Sequence, residues 1–483
     1  MNTNKMFNDI FFDNLEPQEQ KMLRTQLFAQ LSRELFIKVE IMSVANKVIN
    51  EVAGRAINGS YNIDNSASLR RTCSVTFLLE SNDVQFDTLK SDFAINKKFV
   101  LYVGLRQIGT NNICWFNKGT YAIKDPNISI AIGEQTITIN GLDKMALHNG
   151  DISGQLEYAT IIDPEEEPYV HDAVSAIMTS RDDGDGGETK LNIAETDLLI
   201  PYKIESAIGD TRYDVIEKLT NLFYDYQAYY DIDGTFVFAK KPTSINESNA
   251  PTIDFSDKNW KNLIISINRD IAYSNVKNKI VVYGGVHDDG YQPNYTKEVT
   301  DSPYSKEKLK EDFYRMLVIQ DDIYVDAIIT FEEYDAETNN EKEYSYNMCV
   351  KYKVDDEYIY YLCNTDTVDN KTTPNNDNVN WKKICTQTEL DNAEGDELND
   401  YLQNIHAYSI DRCRERADGE AYLHQQATDT VQINCVPIYS LDVNEVIDLE
   451  DEQSGIQGKY VINNISCGLG ASDTMTITAN RLW

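Results

Sequence analysis

Apolar and polar residues alternate along much of this chain, and alternation over four to eight residues marks half-buried β-strands. It predicts strands at 58–63, 73–79, 98–105, 119–125 and 135–142. It predicts four more at the end of the chain, at 431–436, 446–449, 458–465 and 474–479, separated by turns that carry Asn444, Gly455, Gly468 and Gly470. β-Branched runs punctuated this way read as a small antiparallel barrel or sandwich. Helical periodicity is rarer. Leu23, Leu27, Leu31 and Leu35 recur every four residues behind Pro17, with Met22 and Phe28 widening the stripe, so a helix is expected over 17–34 and a strand over 35–44.

Further along, 171–179 reads as helix. Val215, Ile216, Leu219, Leu222 and Phe223 mark one face of a helix capped near Asp210. Strands at 226–232 and 235–240 flank Asp233-Gly234, a strong hairpin signal. Together these predict a compact α+β unit. Strands at 262–267 and 276–283 are expected to return to a barrel, and helices are expected over 389–403 and 412–428.

At 483 residues the chain is too long for one hydrophobic core, so several domains are expected. The 44 basic and 79 acidic residues give a net charge of −35, which repels nucleic acid and argues against sequence-specific DNA or RNA binding. The same charge suits a conduit through which DNA slides without sticking, and it also suits plain solubility. The eight cysteines are scattered with no CxxC pair, as expected for reduced, mostly buried thiols in a protein made in a cytoplasm. Met1 opens a polar stretch rather than a signal peptide, and no run of about 18 apolar residues predicts a membrane span.

Four stretches resemble the baseplate hub (tail hub) proteins of bacteriophages. The closing segment carries a proline and polar turn, then "G-x-x-G-x-Y-x-I" and "T-x-T-A-x-R", in Pro437, Gly455, Gly458, Tyr460, Ile462, Thr476, Thr478, Ala479 and Arg481. Near the start, Ile63-Asp64 and Ser68-Leu69-Arg70-Arg71 match "I-D … S-x-R-R". Gly119-Thr120-Tyr121, Asp125-Pro126 and Ile139-Asn140-Gly141-Leu142-Asp143-Lys144 are similar to "G-x-Y … I-x-G-x-D-K". The family's "S-P-F/Y-S-I-x-R" is split here between Ser302-Pro303-Tyr304-Ser305 and Tyr408-Ser409-Ile410-Asp411-Arg412, so 306–406 reads as an inserted domain. Taken singly, each of these stretches is also an ordinary β-hairpin or loop.

The fold expected is mainly β with α+β. It comprises an N-terminal helical arm (1–34), a first barrel-like hub domain (35–150), a helix-plus-hairpin α+β domain (151–251), a second barrel-like hub and closing domain (252–305 plus 407–483) and the inserted β-rich domain. The resemblance implies a virion protein, assembled in the host cytoplasm. It implies a homotrimer that joins a sixfold tail tube to a threefold tip or spike, contacts other baseplate proteins and lines the channel used in DNA ejection.

Within the insert, a strand, an Asp-rich turn, an aromatic strand and a closing Trp are similar to small chitin-binding-type carbohydrate modules. This points to Tyr358, Tyr360, Tyr361 and Trp381 as candidates for stacking on host surface glycans; a structural module without a ligand is the plainer alternative. No catalytic residues, cofactor or metal site are expected. The five histidines have no ligand spacing, and neither a phosphate loop, G-x-S-x-G nor H-E-x-x-H occurs. The run Asp182-Asp183-Gly184-Asp185-Gly186-Gly187-Glu188 lacks the calcium-loop spacing and reads as solvated. A secreted cell-wall hydrolase is the least favoured reading.

Overall fold

The computed structural model describes residues 8–482 apart from 31–32, 44–45, 81–82, 86, 96, 164–168, 180–186, 197, 199, 201–202, 223–225, 242–251, 288, 322–342, 366, 370–372, 452–453 and 471. The chain divides into two compact units, one of residues 1–200, 204–271 and 428–483, the other of 201–203 and 272–427.

The first unit is built on one 14-stranded sheet. Its first half pairs Ala56–Asp64, Arg71–Leu78, Glu134–Asp143, Asn112–Ala131, Lys98–Arg106, Leu35–Met42 and Val48–Ala53 in that order. Its second half pairs Ile264–Ala272, Thr428–Cys435, Met475–Arg481 and Ile456–Gly468. The halves meet where strand 456–468 runs antiparallel to strand 56–64, with Ile465 opposite Ile63 and Cys467 opposite Tyr61. The two barrel-like parts expected from sequence thus share a sheet. They also share a core, in which Val75, Phe99 and Leu101 belong to the same apolar cluster as Ile433, Ile447, Ile465 and Ile477.

Alternation located these strands, and the edges differ for physical reasons. The strand expected over 119–125 runs from Asn112 to Ala131, through Pro126. A register shift between Lys124 and Asn127, with Asp125 at φ 38°, carries the proline in a bulge, where its missing N–H is tolerated. The arm helix, Pro17–Phe28, is shorter than expected. Leu23, Leu27 and Phe28 are buried, whereas Met22 is exposed. Before it, Asn8–Phe11 adds a parallel strand to 112–115 that periodicity did not reveal, four residues being too few to show a period.

The α+β part sits in the same unit. Helices Val170–Thr179 and Arg212–Asn221 accompany a three-stranded sheet of Leu191–Ile193, Phe236–Lys240 and Tyr226–Tyr230. The second helix is capped next to Asp210, by Thr211, in a reciprocal capping box with Asp214. Asp233-Gly234 makes the hairpin turn, the Gly234 N–H donating to the Asp231 carbonyl.

In the second unit, strand Lys279–Tyr283, expected to rejoin the barrel, instead forms a sheet with Asn294–Glu298 and, in parallel, Met316–Gln320. One face of that sheet packs Ile280 and Val282 on Cys413, Ala417 and Ala421 of helix Ala407–His424. The small side chains on that face of the helix suit close packing on the sheet. A separate sheet holds Cys349–Val354, Glu357–Cys363 and Trp381–Thr386. The helix expected over 389–403 is two, Gln387–Asn392 and Gly395–Ile405, broken at Gly395 with φ 60°.

Gly141 tests the packing of the first half. A Cβ there would lie 2.6 Å from Phe99 Cζ and 2.7 Å from Cys73 Sγ, all inside the core. Gly141→Ala is expected to destabilise the protein by about 1–3 kcal/mol, read as a lowered thermal midpoint. An unchanged midpoint would mean that this layer has slack.

Candidate functional site

The stretches that carry the family resemblance are distant in sequence and converge in the first unit. Arg70 and Arg71 start strand 71–78 and serve different neighbours. Arg71 is fully buried and donates from Nη2 to Asp442 Oδ2 at 2.6 Å, tying the first half of the sheet to the closing segment. Arg70 turns to the α+β part. It donates to Gln227 Oε1 at 2.8 Å, bonds Asn65, and stacks its guanidinium 3.4 Å from the centre of the Tyr229 ring. One residue of offset along the chain sends two cations to two partners.

Asp143 and Lys144 repeat the device. Asp143 Oδ2 accepts the Arg71 backbone N–H at 3.0 Å and Oδ1 accepts that of Met145 at 2.8 Å, so it holds the start of strand 71–78 and caps the turn that follows it. Lys144 reaches the α+β part, where its Nζ donates to the Gly234 carbonyl of the hairpin turn at 2.8 Å and pairs with Glu188. Glu188 also lies 3.1 Å from the Tyr230 hydroxyl, which is 3.0 Å from His148 Nε2. Glu188 was expected in a solvated loop, and its side chain is instead drawn inward, 7% exposed. The rest of that loop, 182–186, lies outside the described residues.

These charges are strongly shifted, and the causes compete. Burial pushes the Asp442 carboxyl up, but the Arg71 guanidinium more than offsets this and holds it below the usual carboxylate range. Burial lowers Arg71, and the Asp442 pair raises it well above the usual value. Burial takes Asp143 up to about 6 in spite of its backbone donors and the nearby Arg71 charge. Arg70 is lowered by burial to about 10. Lys144 is likewise lowered by burial, while Glu188 ends below its usual value because Lys144 outweighs burial. Charges this deep persist because each is paired or hydrogen-bonded.

The candidate sugar-stacking residues are not gathered on one surface. Strand alternation sends Tyr361 into an apolar cluster with Trp381, Val350 and Tyr344, and Tyr360 to the opposite face with Cys385 and Ile405. Trp381 is 2% exposed and its ring meets Tyr344 edge-on at 5.2 Å. Tyr358 is half-buried, with the Lys351 ammonium 5.1 Å above its ring. The aromatic density that prompted the carbohydrate reading is the core of a small sheet.

Among the described residues no group of three or more His, Cys, Asp or Glu is arranged to hold a metal ion. Among the described residues the eight cysteines form no disulfide. Among the described residues no helix is long and apolar enough to cross a membrane.

A family described as a domain of unknown function, DUF5048, matches residues 384–483. The search of curated proteins gave no match. The solved structures to which this chain is similar include phage tail proteins. The 43 kDa tail protein of prophage MuSo2 from Shewanella oneidensis is similar at 11% identity and TM-score 0.48, over 93% of this chain and 98% of that one. A tail protein from Neisseria meningitidis MC58 is similar at 9% identity and TM-score 0.49, over 92% and 96%. The prophage tail protein gp18 from Listeria monocytogenes EGD-e is similar at 10% identity and TM-score 0.43, over 92% and 94%.

Two substitutions test the site. Arg71→Met leaves the half-buried Asp442 without its cation and is expected to cost about 3 kcal/mol, whereas Arg71→Met with Asp442→Leu recovers most of the loss, as urea melts of the single and double variants would read. Trp381→Ala is expected to cost about 3–5 kcal/mol of stability in the second unit as a cavity effect. A folded Trp381→Ala protein of unchanged stability, with glycan binding lost, would restore the carbohydrate reading.

Proposed function

We propose that this chain is a structural component of a phage-type tail, a baseplate hub. In this reading it acts as a homotrimer whose paired barrel-like halves present six similar units to the tail tube above and three to a tip or spike below. It also contacts other baseplate proteins, and its place in the virion is the tail. The observation that carries the reading is the convergence of the hub-like motifs. Arg70-Arg71, Asp143-Lys144 and the closing turn at Asp442 form one buried network that rivets both halves of the sheet and the α+β part together. Residues in a hub's signature are expected to do this work, because an adaptor needs fixed relative placement of its parts more than exposed chemistry.

The net charge of −35 supports a lumen that repels DNA and lets it slide, if acids line the channel. The work of such a protein is done by interface area, with contacts repeated around a symmetry axis. Catalysis forms no part of the proposal. Neither does glycan binding through 306–406, since Tyr360, Tyr361 and Trp381 are buried.

Light scattering after size exclusion, across a concentration series and with a cognate tube protein present or absent, tests this. A mass of three times 55.1 kDa, and co-elution with tube protein, is the expected outcome. A monomer at every concentration that also ignores tube protein would overturn it.

A further inference from the structure

The main segment of the second unit runs from Ala272 to Ala427, and its two ends are bonded to each other to form a root. The Lys277 backbone N–H donates to the His424 carbonyl at 2.9 Å, and the Ser302 hydroxyl donates to the Gln425 carbonyl. The His424 ring adds two contacts. Its Nδ1 lies 2.8 Å from the carbonyl oxygen of Asn275, and its Nε2 lies 3.3 Å from Glu420 Oε2. A carbonyl oxygen only accepts, so Nδ1 carries a hydrogen. In a neutral ring Nε2 would then turn its lone pair toward a carboxylate. Only the imidazolium donates to both. The position of His424 in the last turn of helix Ala407–His424 favours a cation in the same sense.

We propose that His424 is a proton-dependent clamp on the root of the second unit: its imidazolium ties the end of helix Ala407–His424 to the turn at Asn275, and the tie is released when the proton leaves. Charges on the neighbouring elements set the balance. Arg416, Glu420 and His424 follow one another at four-residue spacing along the helix, with Arg416 Nη2 2.8 Å from Glu420 Oε1. Asp321, at the end of strand Met316–Gln320, lies 3.7 Å from Arg416 Nε. Lys277, beside the turn, opposes the imidazolium. The bond to Glu420 outweighs burial and Lys277, so His424 holds its proton above the ordinary value of 6.5. Glu420 is lowered, first by the bond from His424 and then by Arg416, which outweigh burial. The His424 ring is partly exposed, so solvent can take the proton with the unit still folded. The closed root binds the proton more tightly than the open one. Its advantage is complete below 6.5 and is lost as pH rises through the raised value of His424.

Hydrogen exchange on the intact protein from about pH 5 to about pH 8.5, corrected for intrinsic exchange, reads the clamp. Opening of 273–278 and of the last turn of the helix is expected to rise with pH above 6.5, by at most about tenfold per pH unit, and to level off once His424 is neutral. The ring C–H signal of His424, assigned by its absence from His424→Gln, is expected to titrate above 6.5. Glu420→Gln should bring that titration down, and His424→Gln should remove the slope from the root. A root equally protected across the range in the unmodified protein would overturn the clamp without recourse to any variant. So would a His424→Gln protein that keeps the slope, a His424 signal titrating at or below 6.5, or a Glu420→Gln protein in which that titration is unmoved.

Discussion

A guanidinium with no access to water must find an anion, and in this fold the anion that Arg71 finds comes from the far end of the chain. The Arg71–Asp442 bond closes a sheet whose two halves are separated by most of the sequence. Such a pair adds little net stability by itself, since desolvating both ions costs about as much as their attraction returns. Its effect is on which arrangement is tolerated. Any register that moves Asp442 from Arg71 buries a bare charge, so the pairing of strand 456–468 with strand 56–64 is fixed by a penalty on the alternatives as much as by its own hydrogen bonds.

The other motif residues extend the same logic by neighbouring positions. Arg70 and Arg71 are consecutive, as are Asp143 and Lys144, and within each pair one side chain serves the sheet and the next serves the α+β part. Lys144 grips the carbonyl of Gly234, so the Asp-Gly turn that defines the hairpin is also the point where the hairpin is held. Packing of apolar faces could slide by fractions of an ångström. A lysine donating to one carbonyl and one carboxylate cannot. Fixed relative placement of three parts is what these bonds supply.

Much of this was legible in the sequence because alternation is local. The strands around 58–63, 98–105 and 458–465 needed nothing beyond their own residues, and the Asp233-Gly234 hairpin is set by turn chemistry. The rest depends on partners. Glu188 looks solvated in a run of Asp and Gly, and only Lys144 and Tyr230, arriving from elsewhere, make it a buried ion. Strand 279–283 alternates as well as any barrel strand; its parallel neighbour 316–320 follows a stretch where the family pattern breaks, and parallel pairing leaves no hairpin signal. The strand 8–11 is too short for periodicity to find.

The aromatic residues of 306–406 show why composition misleads where geometry decides. Tyr358, Tyr360, Tyr361 and Trp381 invite a stacking platform because sugar-binding surfaces are rich in such rings. A platform needs rings on one face and open to solvent. Consecutive strand residues point to opposite faces, so Tyr360 and Tyr361 cannot both belong to it, and the Trp381 ring fills the space beneath Tyr344 instead. A small sheet has few residues with which to build a core, and large rigid rings bury the most area for each position used. The feature that resembled a ligand site is the solution to a packing problem. The chemistry of this protein lies instead in buried charges that fix its parts relative to one another, with Arg71 at their centre.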